Sequence, residues 1–448
     1  MKFKTRITIA VVSYLFLLLA MVQTTLAQGD TFYVDVNNGS NTTGDGSAAK
    51  PWQTIQYAAN QVSPGDTVLI NPGTYSGGIT VDISGTETGI ITFKAKGSGV
   101  IIEGSGSKND AFFITEADYI TVEGLTIQHA DRAGLRISLS DHVTIRDCTF
   151  ADNVRWGVFT DFSDYTLIEN IESYGAQDEH GIYISNSSDY PTIRNSRLHH
   201  NYANGIHMNG DISIGGDGII SEALIEGNVI YENGTGGGSG INMDGVTDSI
   251  IRNNLLYNNH ASGISIFQID GGSGSQNNRI LNNTIIVPSD ARWAINIPDT
   301  VDTGNKVFNN ILLNNHSWKG SILIAAPNLS GFESDYNIVV NRFNTNGYNA
   351  DNTNGLDLTG WQALGYDTHS IIATANEIFV DAAAGDYRLK ETGSAVDAGI
   401  TLPDVPTDID GNSRPAGSAF DIGAYEYGSM VVPPFDHFVY LPIILVEP

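Results

Sequence analysis

The residues with the most chemistry in them fall between Arg132 and Trp293. His180, Tyr183 and His207 can carry protons, Arg155 is a fixed cation, and Glu179, Asp211 and Asp244 are carboxylates. A histidine or tyrosine beside an arginine or an amide suits removal of a proton next to a carboxylate: the cation or amide neutralises the acid, and the ring takes and returns the proton. On that scheme Arg155 or Asn209 neutralises, and His207, Tyr183 or His180 moves the proton. Two carboxyls roughly 5 to 9 Å apart suit hydrolysis of a glycosidic bond instead, and Asp211 with Asp244, or Glu179 with Asp244, supplies such a pair. Asp161, Glu179, Asp211 and Asp244 are also the hard oxygen donors that calcium takes, so Ca2+ is the one cofactor these residues suggest. Around them, Arg132, Trp156, Glu179, Asn209, Asn242, Phe267, Gln268 and Trp293 offer the flat faces and paired donors and acceptors that sugar rings and hydroxyls need. The partner they point to is a polysaccharide. There is no His/Cys metal spacing, phosphate-binding glycine loop or serine-nucleophile motif.

These residues are set on a repeat. Gly134-Leu-Arg-Ile-Ser138, Gly157-Val-Phe-Thr-Asp161, Gly181-Ile-Tyr-Ile-Ser185, Gly205-Ile-His-Met-Asn209, Gly240-Ile-Asn-Met-Asp244 and Gly263-Ile-Ser-Ile-Phe267 are variants of one unit, with steps of 23, 24, 24, 35 and 23 residues. Self-similarity at such a period marks a solenoid whose units bury apolar side chains only by stacking on neighbours. The apolar second and fourth positions point inward, so the third and fifth point out. The third-position column reads Arg136, Phe159, Tyr183, His207, Asn242, Ser265, Asn296, and the fifth reads Ser138, Asp161, Ser185, Asn209, Asp244, Phe267, Pro298. Residue type changes from rung to rung on this face, which marks it as a groove. The longer steps hold glycine-rich insertions from Asp211 to Gly218 and from Asp270 to Gly274.

A second strand signal follows each glycine-led unit, giving two per rung. Its outward position alternates Glu123, Arg146, Glu169, Arg194, Glu226, Arg252, which stacks acid on base. Asp147, Asn170, Asn195, Asn253, Asn282 and Asn309, or the adjacent Asn228, Asn254, Asn283 and Asn310, follow it, as residues that tolerate left-handed turns and pair amide to amide. Because they recur in every rung, these ladders are structural. His199, His200 and His260 fall at another corner of the rung and are read as structural or solvated.

The chain has 448 residues and a net charge of −28, which argues against nucleic acid and anionic membranes as partners. A basic start, an apolar run from Ile7 to Met21 and Thr25-Leu-Ala27 read as an export signal over residues 1–27, so a secreted or cell-surface protein is expected. No later run is long enough to span a membrane. The single cysteine, Cys148, forms no internal disulfide and is read as a small buried hydrophobe. Residues 28–118 are expected to form a cap and first rungs, with Ile55 to Val62 an amphipathic plug. Residues 119–343 form the central repeats and 344–427 the last rungs, a short helix near Leu356 to Leu364 and a closing module. Residues 428–448 form a tail, and the protein is expected to be a monomer.

The rung pattern and asparagine ladder, with Thr31-Phe-Tyr-Val-Asp35, Pro51-Trp-Gln-Thr-Ile-Gln56, Pro64-Gly-Asp-Thr-Val68 and Pro72-Gly-Thr-Tyr75, resemble the right-handed parallel β-helix proteins of the pectate-lyase-like superfamily. Gly385-Asp-Tyr-Arg-Leu389, Ala395-Val-Asp-Ala-Gly399, Asp408-Ile-Asp-Gly411, Arg414-Pro415 and Asp421-Ile-Gly-Ala-Tyr-Glu426 resemble the closing module of secreted bacterial β-helix proteins. Tyr174-Gly-Ala-Gln-Asp178-Glu-His180 is similar to the Tyr, Asp and His cluster of mannuronan epimerases, with the spacing off by one residue and the proline missing. The resemblance implies an all-β, single-stranded right-handed parallel β-helix with an N-terminal cap and a C-terminal closing module. It also implies a carbohydrate-active protein, foremost a polysaccharide lyase cleaving a uronate-containing glycan by β-elimination. Lysine, a frequent base in β-helix lyases, is absent between Lys108 and Lys306, which moves the base role to His, Tyr or Arg. A glycoside hydrolase, a uronate epimerase and a non-catalytic glycan-binding protein stay open on sequence.

Overall fold

The repeated glycine opens each rung because of how closely the rungs approach. A Cβ built on Gly157 would lie 2.7 Å from the carbonyl oxygen of Gly181, and one on Gly181 would lie 2.8 Å from that of Gly205. No side chain fits between rungs stacked this way. The computed structural model describes residues 29–106 and 109–428, and over them the chain winds into a parallel β-helix. Three sheets of 12, 11 and 12 strands run the length of the coil, and each full turn adds one strand to each. The export signal at 1–27 and the tail beyond residue 428 lie outside the described residues.

The rung therefore carries three strands, where the sequence pattern suggests two. The residue closing the second strand turns the chain sharply and starts a third: Thr144–Arg146 is followed, after Asp147, by Thr149–Ala151. Asp147, Asn170, Asn195, Asn253, Asn282 and Asn309 all adopt left-handed φ between 50° and 55°, a conformation Asn and Asp tolerate better than most residues. The third strand is so short that its apolar pattern merges with the turn.

Inside the coil, identical positions stack. Ile145, Ile168, Ile193, Ile225, Ile251 and Ile280 are wholly buried along one sheet, as are Val158, Ile182, Ile206, Ile241, Ile264 and Ile295 along the glycine-led sheet. Buried asparagines close the corner with side-chain to side-chain bonds of 3.0 Å from Asn228 to Asn254, 2.9 Å from Asn254 to Asn283 and 3.0 Å from Asn283 to Asn310. Outside, Arg146, Arg194 and Arg252 reach Glu123, Glu169 and Glu226 one rung back at 2.7, 2.6 and 2.5 Å. Cys148 is fully buried.

The two ends differ. At the start, the helix Ile55–Ala59, capped by the Thr54 hydroxyl, packs Ile55, Ala58 and Ala59 into the main core. At the far end, the helix Leu358–Gln362 places Trp361 in that core, stacked on Phe343 at 5.0 Å between centroids. The segment expected to close the coil lies along its flank instead. Leu255, Ile286 and Ile311 of successive rungs pack against Ile378, Tyr387 and Ile422, and the wholly buried Arg414 joins Glu426 to the corner residue Asn253. Ladder side chains hold this segment from the side, for example Asn282 on the Asp421 carbonyl and Asn309 on that of Ile400. Among the described residues no helix is long and apolar enough to cross a membrane.

Candidate functional site

The register places the irregular columns as the repeat implies. Phe159, Tyr183, His207, Asn242 and Ser265 are successive neighbours across the glycine-led sheet, and so are Asp161, Ser185, Asn209, Asp244 and Phe267. Tyr183 and His207 thus face the same way on adjacent rungs, one strand spacing apart. Their rings stack with centroids 4.8 Å apart.

His180 reaches this pair from the turn preceding Gly181. The backbone N–H of Asn204 donates to His180 Nδ1 at 3.2 Å, which fixes that nitrogen as an acceptor and leaves the ring proton on Nε2. Nε2 then faces His207 Nδ1 at 2.8 Å and the Glu179 carboxylate at 3.3 Å. His207 Nδ1, approached also by the Asn204 amide at 3.4 Å, is an acceptor in turn, so its own proton sits on Nε2. Burial, and after it the neighbouring His207, holds His180 well below the usual imidazole range, and burial lowers His207 to about 4. At neutral pH both rings are uncharged and linked by one hydrogen bond.

Tyr183 is fixed on several sides. Phe159 and His180 lie edge-on to it, each at 5.2 Å, and the Asn209 amide donates to its hydroxyl oxygen at 3.2 Å. The same amide also donates to Asp270 at 3.3 Å, which turns its N–H groups toward the phenol. Burial raises the Tyr183 phenol above its ordinary value, and the Asn209 hydrogen bond opposes that rise. Asp270 was not singled out in the sequence, although the insertion it begins was. The loop bearing it is anchored by Asp244, whose carboxylate accepts the N–H groups of Ile269, Asp270 and Gly271 at 2.9, 2.9 and 3.0 Å.

Other expected site residues are placed elsewhere. Asp244 is buried and engaged by those three donors, and Asp211 caps the short turn Ile212–Ile214 through Ser213. Both carboxylates are engaged by the backbone of loops, Asp244 buried and Asp211 at the surface. Trp156 and Trp293 are buried, under Phe159 at 4.4 Å and against Trp318 at 6.1 Å, so neither presents a face to a sugar. Arg132 pairs with Asp110. Asp161 pairs at 2.9 Å with Arg136, and Arg155 lies over the Trp156 ring. Glu179 accepts from the Trp156 indole at 3.3 Å, and Gln268 donates to the Gly271 carbonyl. Asn242 and Phe267 do line a cavity of about 380 Å³, together with Asn204, Ser265, Arg292 and Asn296.

The four carboxylates suggested for calcium do not gather. Each has the separate partner just described, and among the described residues no group of three or more His, Cys, Asp or Glu is arranged to hold a metal ion. The donor set does not fit a calcium site.

Three stacked parallel sheets with one variable outer face define a parallel β-helix with a surface groove. The chain belongs to the Pel9A-like right-handed β-helix family, whose model matches residues 32–288. In overall shape it is similar to pectate lyase Pel9A, with a TM-score of 0.64 at 18% identity over 89% of this chain and 96% of that one. It is also similar to a rhamnogalacturonan lyase, with a TM-score of 0.51 at 16% identity over 69% and 87% of the two chains. At those identities the likeness is one of fold. An uncharacterised Bacillus subtilis protein, YwoF, is 32% identical over 133 residues, which is 27% of this chain and only 28% of the length of that relative.

Proposed function

We propose that this is a secreted carbohydrate-active enzyme, a polysaccharide lyase that cleaves a uronate-containing glycan by β-elimination. The observation that carries this reading is the triplet of Tyr183, Asn209 and His207. The base is the ionised fraction of Tyr183: its phenolate oxygen takes the proton from C5 of the uronate and becomes the phenol. The electrons of that bond form the C4–C5 double bond, the C4–O bond breaks, and the same tyrosine returns the proton to the leaving oxygen. The Asn209 amide stabilises the phenolate that starts the step and is regenerated at its end, and the His207 Nε2–H, oriented by His180, donates to the substrate carboxylate. Arg155 stands one ring further along, over Trp156, as a cation without a carboxylate partner among the described residues. The family fold supports this reading, since the pectate lyase and rhamnogalacturonan lyase named above share the architecture.

The pH dependence follows from the two rings. A phenol raised above its ordinary value is a scarcer base at neutral pH, so turnover rises with pH toward the alkaline side. Below about 4, His207 gains a proton on Nδ1 and loses the His180 hydrogen bond, so activity falls. The test is to incubate the protein with uronate polysaccharides and neutral glycans, following ultraviolet absorbance of unsaturated ends and total reducing ends together. Equal growth of both supports the lyase. Reducing ends without absorbance, or no product from any acidic glycan, contradicts it.

A further inference from the structure

Most arginines with a fixed position in this acidic chain meet a carboxylate. Arg146, Arg194 and Arg252 do so along the ladder, Arg132 and Arg136 beside the groove, and Arg414 in the flank. Three cations at the far end of the groove do not. Among the described residues, the Arg292 side chain has no hydrogen-bond or ion-pair partner. Lys319 has only the Trp318 ring, with its amine 5.3 Å from the centroid. Arg342 donates only to the carbonyls of Asn314, His316 and Lys319, each at 2.9 Å.

The loop that carries Lys319 is built, not loose. Asn314 donates to the carbonyls of Arg292 and Gly320 at 2.7 and 2.8 Å, and His316 Nδ1 accepts the N–H groups of Trp318 and Lys319 at 3.1 Å each. Arg342 clamps it from the next turn. Trp293, next to Arg292, packs against Trp318, next to Lys319, with centroids 6.1 Å apart, which brings the two segments together, and burial and after it the charge of Arg292 lower the Lys319 amine. The cavity that contains Arg292 is also lined by Asn204, the residue touching both His180 and His207.

We infer that Arg292 and Lys319, backed by Trp318, form a distal subsite for an acidic group, a carboxylate or a sulfate ester, on a glycan lying along the groove. The inference rests on the reading that the groove takes a glycan. Arg292 precedes the third strand beyond that of His207, which places the subsite about 14 Å along the axis at about 4.8 Å per rung. Short fragments reaching only His207 and Tyr183 miss it, so the protein favours long acidic chains over fragments. A guanidinium and an ammonium flanking one anion give two charge-assisted contacts, and their strength falls as salt screens them.

The test is affinity electrophoresis of the full chain in native gels cast with polygalacturonate, dextran sulfate or uncharged dextran. The pair Arg292→Met and Lys319→Met is compared with wild type, and the pair Arg292→Lys and Lys319→Arg serves as the conservative control. Neither side chain makes a hydrogen bond, so the variants keep the fold, which a melting curve checks. Wild type is expected to be slowed by an acidic polymer and not by dextran, and the methionine pair to bind it at least about tenfold more weakly, a loss of about 1.4 kcal/mol. The conservative pair retains binding. Slowing by polygalacturonate assigns a carboxylate, and slowing by dextran sulfate alone assigns a sulfate ester. Equal slowing of wild type and the methionine pair, or no slowing of wild type, overturns the subsite. Turnover measured in parallel separates the two readings: binding lost in the methionine pair with no lyase product from wild type rejects the chemistry and keeps the subsite.

Discussion

The ladder face and the groove face of this coil are made of the same rung, yet they solve opposite problems. On the ladder face each rung repeats its neighbour's chemistry, so Glu123, Glu169 and Glu226 each have an Arg at one strand spacing and Asn228, Asn254, Asn283 and Asn310 bond one to the next. On the groove face no two adjacent rungs match, and the polar groups bond across types: His180 to His207, Asn209 to Tyr183, Asp244 to a loop. Uniform stacks satisfy themselves and leave nothing over for a ligand. Among the described residues, the irregular stack leaves the Asn209 side-chain oxygen buried without a partner, and Arg155 and Arg292 without a carboxylate. The difference teaches where to look for chemistry in a solenoid: at rungs whose side chains break the repeat.

The comparison predicts that ladder substitutions act on stability and groove substitutions on turnover. The largest stability effect belongs to the buried asparagines. Asn254→Ala removes partners from Asn228, Asn283 and two carbonyls at once, and denaturant titration should show a loss of about 2–4 kcal/mol with site geometry intact. On the groove, Asp270→Asn frees the Asn209 amide to turn away from Tyr183. The expected result is a fall in kcat of about tenfold or more with a smaller change in KM, and an alkaline limb moved to higher pH. A purely structural role for Asp270 would leave that limb in place.

Smaller effects sharpen the same contrast. Thr160 stands in the coil interior between Ile137 and Ile184 with its hydroxyl buried and unpartnered. Thr160→Val should therefore raise stability by about 1 kcal/mol, and a loss would reveal a hidden partner. The histidine pair gives a pH signature. Because the folded pKa of His207 lies near 4, below the unfolded value, the unfolded chain binds more protons between those limits, and stability falls as pH drops from about 6.5 toward 4. His207→Gln should reduce that slope in urea titrations across the window. Smallest of all, Arg146→Gln on the exposed ladder should cost less than about 1 kcal/mol and vanish in high salt.

The repeat made much of this legible in advance. Period-two alternation from each glycine gave the inward and outward columns, and the structure keeps that register through Phe159, Tyr183, His207 and Asn242. The ladders were legible for the same reason: repetition makes a position visible. What could not be read was anything set by contact between rungs at variable positions. Trp156 looks like a sugar platform until Phe159 is seen lying on it, and Asp244 looks like a catalytic acid until three loop N–H groups are seen filling it. Asp270 sits in an insertion, where the period gives no register. The flank-bound C-terminal segment, too, depends on long-range contacts such as Arg414 with Asn253 that no local pattern encodes.

The central claim is that Tyr183, held by Asn209 and stacked on His207, moves the proton in an elimination. The direct measurement is turnover by Tyr183→Phe on the acidic glycan that wild type cleaves best, followed by ultraviolet absorbance of unsaturated ends, with melting behaviour recorded alongside. Removing one hydroxyl while keeping the ring stack should lower kcat by about a thousandfold and leave both substrate binding and the melting temperature close to wild type. Unsaturated product formed at the wild-type rate by this variant would contradict the account.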